Sequence, residues 1–179
     1  MINTVGGIAG SEVRRELLLT YVDANSLEPS GTPDWEVIGW KIQDSSIELN
    51  VDEETITDIL AITHTTVNDM QPSQTLEPNV MRSGPRLSPK LLEIYRKNEF
   101  EKYAMFNVLV VFAFLGAPGT PVVAPFEADM QTGCTVRPTS IGGDRRVNFP
   151  LQINYSKNTT HGTVDKIFPD TDITFTPAP

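Results

Sequence analysis

Apolar and polar residues alternate with a period of two in several short stretches of this chain, and that rhythm predicts strands. Residues 46–51 (SIELNV) show it most cleanly: Ile47, Leu49 and Val51 point one way, Glu48 and Asn50 the other. Residues 17–22 (LLLTYV) and 35–42 (WEVIGWKI) read as two further strands, with Ile38, Trp40 and Ile42 on one face. Residues 55–67 (TITDILAITHTTV) are dense in Thr, Ile and Val, which suit a pleated surface. Between Pro72 and Pro78 the segment SQTLE has room for an edge or brief strand. One stretch changes period. Ser88 is placed to cap a helix and Pro89 suits its first position, after which Leu91, Leu92, Ile94 and Tyr95 recur at helical spacing until about Asn98. Residues 105–115 (MFNVLVVFAFL) are apolar on both faces and predict a central strand buried on each side.

Turn-formers fill the gaps. Residues 1–10 are small and Gly-rich and read as a mobile arm; residues 25–33 (NSLEPSGTP) read as an exposed loop, and 116–125 (GAPGTPVVAP) as a Pro-rich one. Strands at 134–141 and 146–155 are joined by Gly142-Gly143-Asp144, whose glycines supply the positive φ of a tight hairpin. Residues 173–179 add a last short strand. The expected fold is mainly β: a β-sandwich or barrel of about eight short strands with one flanking α-helix. At 179 residues, with 14 prolines and 12 glycines, residues 1–179 make a single domain.

Charge refines this picture. The formal net charge is −9, which disfavours a grip on nucleic acid, since such a grip sets Lys and Arg against phosphates. The acidity is concentrated. Residues 42–81 hold no Lys or Arg, yet carry Asp44, Glu48, Asp52, Glu53, Glu54, Asp58, Asp69 and Glu77. Basic residues then cluster around the helix: Arg82, Arg86, Lys90, Arg96, Lys97 and Lys102. A subunit acidic in one part and basic in another suits head-to-tail association, which closes into rings or runs on as filaments.

Chemistry has few candidates. His64 and His161 are the two histidines, and neither stands at metal-ligand spacing from the other or from Cys134. Cys134, the one cysteine, reads as a small half-buried packing residue. No phosphate loop and no GxSxG elbow occurs. Asp52-Glu53-Glu54 lacks the spaced oxygens of a calcium loop. The start of the chain shows no basic stretch followed by an apolar run, and residues 108–115 are too short to cross a bilayer. No catalytic residue, metal or cofactor is expected.

Taken together, the segments resemble the siphophage major tail tube family. Residues 17–23 (LLLTYVD), a variable loop and residues 35–42 resemble its first two strands. Residues 45–59 (SSIELNVDEETITDI) are similar to its acidic strand-and-turn, and 65–78 (TTVNDMQPSQTLEP) to the stretch before its helix. The helix from Pro89, the apolar strand, Ser140-Ile141-Gly142-Gly143-Asp144 and the closing ITFTP follow in order. The resemblance implies a structural virion protein: homo-hexameric rings stacked into a hollow tube, an inner β-barrel around the lumen, and DNA passing through without specific binding. It implies a tape measure protein, distal tail protein and tail terminator as partners, assembly in the bacterial host cytoplasm, and no membrane. On charge grounds Asp44, Glu48, Asp52, Glu53, Glu54 and Asp58 are candidates to face the lumen, where carboxylates keep a duplex moving. Met1, Ile2, Asn3 and Thr4 of the arm, with Asn25, Ser26, Leu27 and Glu28 of the loop, are candidates for inter-ring contacts. The alternatives are a tube subunit of another phage-like particle (contractile tail, bacteriocin or gene transfer agent) and a monomeric carbohydrate-binding β-sandwich. In the latter Trp35 and Trp40 would stack on sugars, although five residues apart they fall on opposite faces of one strand.

Overall fold

The computed structural model describes residues 12, 17–28, 31–39, 45–77, 86–119 and 121–179. It is mainly β with one α-helix, as expected, and all strand pairs are antiparallel. The strands are β1 (Leu18–Asp23), β2 (Trp35–Val37), β3 (Ile47–Glu48), β4 (Val51–Thr57), β5 (Thr63–Met70), β6 (Ser73–Leu76), β7 (Phe106–Ala117), β8 (Val123–Pro138), β9 (Leu151–Asn154), β10 (Thr159–Val164) and β11 (Phe175–Pro177). Helix α1 (Leu87–Lys97) and a 3-10 helix (Phe100–Ala104) lie between β6 and β7.

β8 belongs to two sheets. Its first part pairs with β7 on one side and β10 on the other, giving the order β2-β1-β7-β8-β10-β11. Its last four residues pair with β9, giving β8-β9-β6-β3. The change of partner falls at a bulge. Phe106 pairs with Cys134 but Val108 pairs with Gln131, so β8 carries one extra residue there, and Gly133 has φ 71°. An extra residue with a left-handed glycine bends a strand and sharpens its twist.

Two cores follow. Val22, Val108, Val110, Cys134, Val136, Leu151 and Ile153 meet Leu87, Leu91 and Ile94 of α1 in the first. Leu19, Tyr21, Trp35, Leu109, Val111, Phe126, Val164, Ile167 and Ile173 fill the second, beneath the C-terminal segment. Successive residues of β7 thus go to opposite cores, and the reading of this strand as buried on both faces holds. Cys134, expected half-buried, is fully enclosed in the first core, and burial pushes its thiol up. Tyr21 accepts a hydrogen bond from the Phe168 amide (2.9 Å), and burial pushes its phenol up to about 12.

Several boundaries differ from expectation. The described residues form eleven strands, not about eight. The strand read across 55–67 is a hairpin, turning at residues 58–62 on the carboxylate of Asp58, which accepts from the amides of Leu60 (2.8 Å) and Ile62 (3.0 Å). The Pro-rich loop is shorter than read, because β7 runs on to Ala117 and β8 starts at Val123. The tight hairpin read from 134 to 155 opens into a longer turn over residues 139–150, whose one bridge joins Gly142 to Asn148. Ser88 is not the helix cap. Arg86 occupies that position, and Glu36 of β2 accepts from the Arg86 (2.9 Å) and Leu87 (3.0 Å) amides. A carboxylate at a helix N-terminus satisfies free amides and complements the dipole.

The bulge yields a clean test. A Cβ at Gly133 would meet nothing within 4 Å, so a side chain there costs backbone strain alone. Gly133→Ala is expected to lower stability by about 1–2 kcal/mol, and Gly133→Asn by clearly less, measured by chemical denaturation. Equal loss for both variants would refute this account of the bend.

Candidate assembly surface

β4 and β5 form a two-stranded sheet of their own. Every residue of β4 is exposed, and in β5 all but the half-buried Asp69. An isolated two-stranded hairpin is marginal in water, so its local bonds matter. One face is a threonine ladder: Thr55 and Thr65 hydroxyls lie 3.3 Å apart, as do those of Thr57 and Thr63. On the other face Ile56 pairs with His64. His64 Nε2 stands 3.1 Å from Asp58 Oδ2 and ties the turn to the strand.

The stem is pinned to the body. Asn50, at φ 46°, donates from Nδ2 to the Gln71 carbonyl (2.9 Å) and to Ser73 Oγ (2.8 Å). Asp52 and Asp69 stand opposite each other, which is repulsive. Lys157 relieves it by an ion pair with Asp69 and holds that carboxyl below the usual aspartate range, helped by the Met70 amide. Beyond the stem, apolar side chains meet water: Ile59 is 102% exposed, Leu60 73%, Ile56 56% and Ile62 52%.

Among the sequence candidates, Asp52, Glu53, Glu54 and Asp58 come together on this hairpin. Glu48 lies apart from them in β3, and Asp44 falls outside the described residues, as do Met1, Ile2, Asn3 and Thr4. Asn25, Ser26 and Leu27 are half-buried and Glu28 exposed. The loop read as exposed begins as a fastened turn. Asp23 Oδ1 accepts from the amides of Asn25 (2.9 Å) and Asp34 (2.8 Å), Ser26 Oγ accepts from the Asn107 amide (2.9 Å), and Leu27 packs on the first core. Lys90 Nζ donates to the Ala24 carbonyl (2.5 Å), to Asn25 Oδ1 (3.2 Å) and to Glu28 Oε1 (3.4 Å). Trp35 is buried in the second core, which withdraws it from sugar stacking; Trp40 falls outside the described residues.

A second projecting element escaped the sequence reading as a surface. The turn over residues 139–148 is exposed almost throughout and carries Arg145 and Arg146 beside Ile141 and Val147. Gly142 and Gly143 have φ 153° and 145°, and a Cβ on Gly143 would run into the Arg146 carbonyl oxygen. Neither arginine makes an ion pair among the described residues. The adjacent pair Arg145-Arg146, preceded by Asp144 as the one nearby acid, was the available signal.

Among the described residues no group of three His, Cys, Asp or Glu could hold a metal ion. No helix among them is long and apolar enough to cross a membrane.

No family model matches the chain, and no curated protein matches it. Among solved structures it is similar to a chain of the anti-feeding prophage cap, the tube terminating cap, at 10% identity and TM-score 0.46 over 87% of this chain and 93% of that one. A chain of the PVC extracellular contractile injection system, in its extended sheath-tube complex, matches at 8% identity and TM-score 0.48, over 87% and 95%. A chain of the 6-fold symmetrised anti-feeding prophage baseplate matches at 11% identity and TM-score 0.47, over 86% and 95%.

The hairpin turn has a defined acid response. His64 first, then the Ile62 and Leu60 amides, hold the Asp58 carboxyl below its ordinary value. A depressed folded-state value means the stabilisation is full above the ordinary aspartate pKa of about 3.9 and is lost as pH falls through the lowered value. In an amide NMR titration, the Leu60 and Ile62 signals are expected to hold through that ordinary range and move only at lower pH. Movement centred at or above the ordinary value would contradict the turn geometry.

Proposed function

We propose that this chain is a structural subunit that polymerises into the tube of a phage-like particle. The observation that carries the reading is the hairpin of β4 and β5, which is formed and pinned at its stem yet leaves apolar side chains and unbalanced carboxylates in water. Surface of that kind marks a contact with another protein. Among the described residues β2, β3 and β11 stand at sheet edges and give further places for a neighbouring copy to pair. The resemblance to tail tubes supplies the form: homo-hexameric rings stacked as a conduit, closed by terminator and distal tail proteins and threaded by a tape measure protein. Siphophage tail and other phage-like particle remain two settings of the same role.

In this reading the outward face of the sheet β8-β9-β6-β3 lines the bore. It presents Ser73, Thr75, Thr135, Gln152 and Asn154 with Glu48 and Arg137, and Arg137 donates to Gln152. Such a face gives phosphate little to hold. Tubes built from a Glu48→Lys/Thr75→Lys variant are expected to retain duplex DNA in nuclease-protection assays where wild-type tubes do not. Equal release from both would remove this face from the bore.

Negative-stain microscopy of the purified protein at rising concentration tests the role itself, with rings or hollow tubes expected. A chain that remains monomeric throughout would overturn it. Replacing residues 52–69 by Asn-Gly should abolish tubes and leave the folded body, because no hairpin residue belongs to either core. Tubes formed without the hairpin would refute its role.

A further inference from the structure

The register of the sheet β8-β9-β6-β3 places two surfaces at its opposite ends. At one end Glu48, Ser73, Asn154 and Thr135 lie in a row, and the hairpin of β4 and β5 leaves from Glu48 and returns at Ser73. Leu76, Leu151 and Pro138 form the row at the other end, where the turn over residues 139–148 leaves Pro138 and returns towards Leu151. The hairpin is acidic and apolar: Asp52, Glu53 and Glu54 with Ile56, Ile59, Leu60 and Ile62. The turn is apolar and net basic: Arg145 and Arg146 outweigh Asp144, beside Ile141 and Val147.

Resting on the tube reading, the geometry points to a specific docking: the hairpin of one copy seats on the arginine turn of a second copy stacked along the strand direction. Three features select a second copy as the occupant. The charges are opposite and each set lacks an ion-pair partner within its own chain among the described residues. Each surface brings exposed branched aliphatic side chains, so the contact has an apolar centre as well as a charged rim. Because the surfaces lie at opposite ends of one sheet, they cannot satisfy each other within a chain; they can do so between translated copies. A contact between two different patches does not close on a pair and continues along an axis. Asp52, Glu53 and Glu54 are thereby assigned to the contact between copies, and the bore keeps Glu48.

Charge reversal and exchange test this pairing. Glu53→Arg/Glu54→Arg, and separately Arg145→Glu/Arg146→Glu, should each raise the concentration at which tubes appear by about tenfold or more. The chain carrying all four changes should recover it. The positions are exposed, so monomer melting and far-UV circular dichroism are expected to match the parent. An engineered pair, Ile59→Cys with Ile141→Cys, should give disulfide-linked multimers under mild oxidation, while Cys134 stays buried.

Wild-type tubes with full assembly of the single reversals would overturn the docking and leave the tube reading standing. Single reversals that fail and are not restored by the exchange would do the same. A wild-type chain that does not assemble, with no cross-linking of the Ile59→Cys/Ile141→Cys variant, would overturn both. Restoration by exchange, together with that cross-link, is the result expected.

Discussion

One bent strand organises this molecule. β8 serves two sheets, and it does so because Gly133 takes a left-handed conformation at the point where its partners change. Before the bulge β8 lies between β7 and β10 and gives Phe126 and Ala128 to the second core, while Glu127 on its other face is exposed. After it, β8 forms the edge of a second sheet that has one apolar and one polar face. The polar face and the two projecting elements at its ends all belong to that second sheet. They exist as surfaces because the bulge turns β9, β6 and β3 away from β7 and β10.

Polar bonds between distant residues complete the arrangement. Gln74, 1% exposed, accepts at Oε1 from Thr20 (3.2 Å) and from Tyr155 (2.8 Å), and donates from Nε2 to Ser45 (3.0 Å). It links β6 across the first core to β1 of the other sheet. Buried amides are costly unless satisfied, so this one fixes register where apolar packing alone would tolerate sliding. Glu36 does similar service for α1, and Lys90 returns the favour by bonding the turn that follows β1. Helix and first hairpin therefore hold each other, whereas the acidic hairpin adds no residue to either core.

Much of the fold was legible because it rests on periodicity. β1, β7 and α1 show their buried faces directly in the spacing of Leu, Val and Ile. What was not legible depends on contacts remote in sequence. Ser88 looked like the cap because it precedes Pro89, but the capping carboxylate comes from Glu36, 50 positions before Arg86. Residues 58–62 carry no Gly or Pro, so their turn was hidden: Asp58 makes it with its side chain, and Ala61 takes the left-handed conformation at φ 59°. β10 (TTHGTV) lacks an apolar alternation because β8 and β11 flank it and the backbone ladder holds it in place. The acidic run was visible as a run; that most of it shares one projecting hairpin was not, because the turn made by Asp58 was hidden.

Preformation bears on how such a subunit would associate. A segment that folds as it binds loses its ordering entropy at that step. The hairpin has its threonine ladder, its Asp58 turn and its Asn50 stem in place already, so the cost of docking it is confined to side chains. Opposing this, each copy carries a net charge of −9, so two copies repel at long range. Repulsion between whole subunits acts over distances that salt screens, with a Debye length of about 8 Å at physiological ionic strength. The contact proposed between carboxylate and guanidinium, shielded by Ile and Leu, would act at shorter range and be screened less. Under the proposed docking, the same acidity that keeps free subunits apart would leave the end-to-end contact as the attractive approach and would give the assembly a direction.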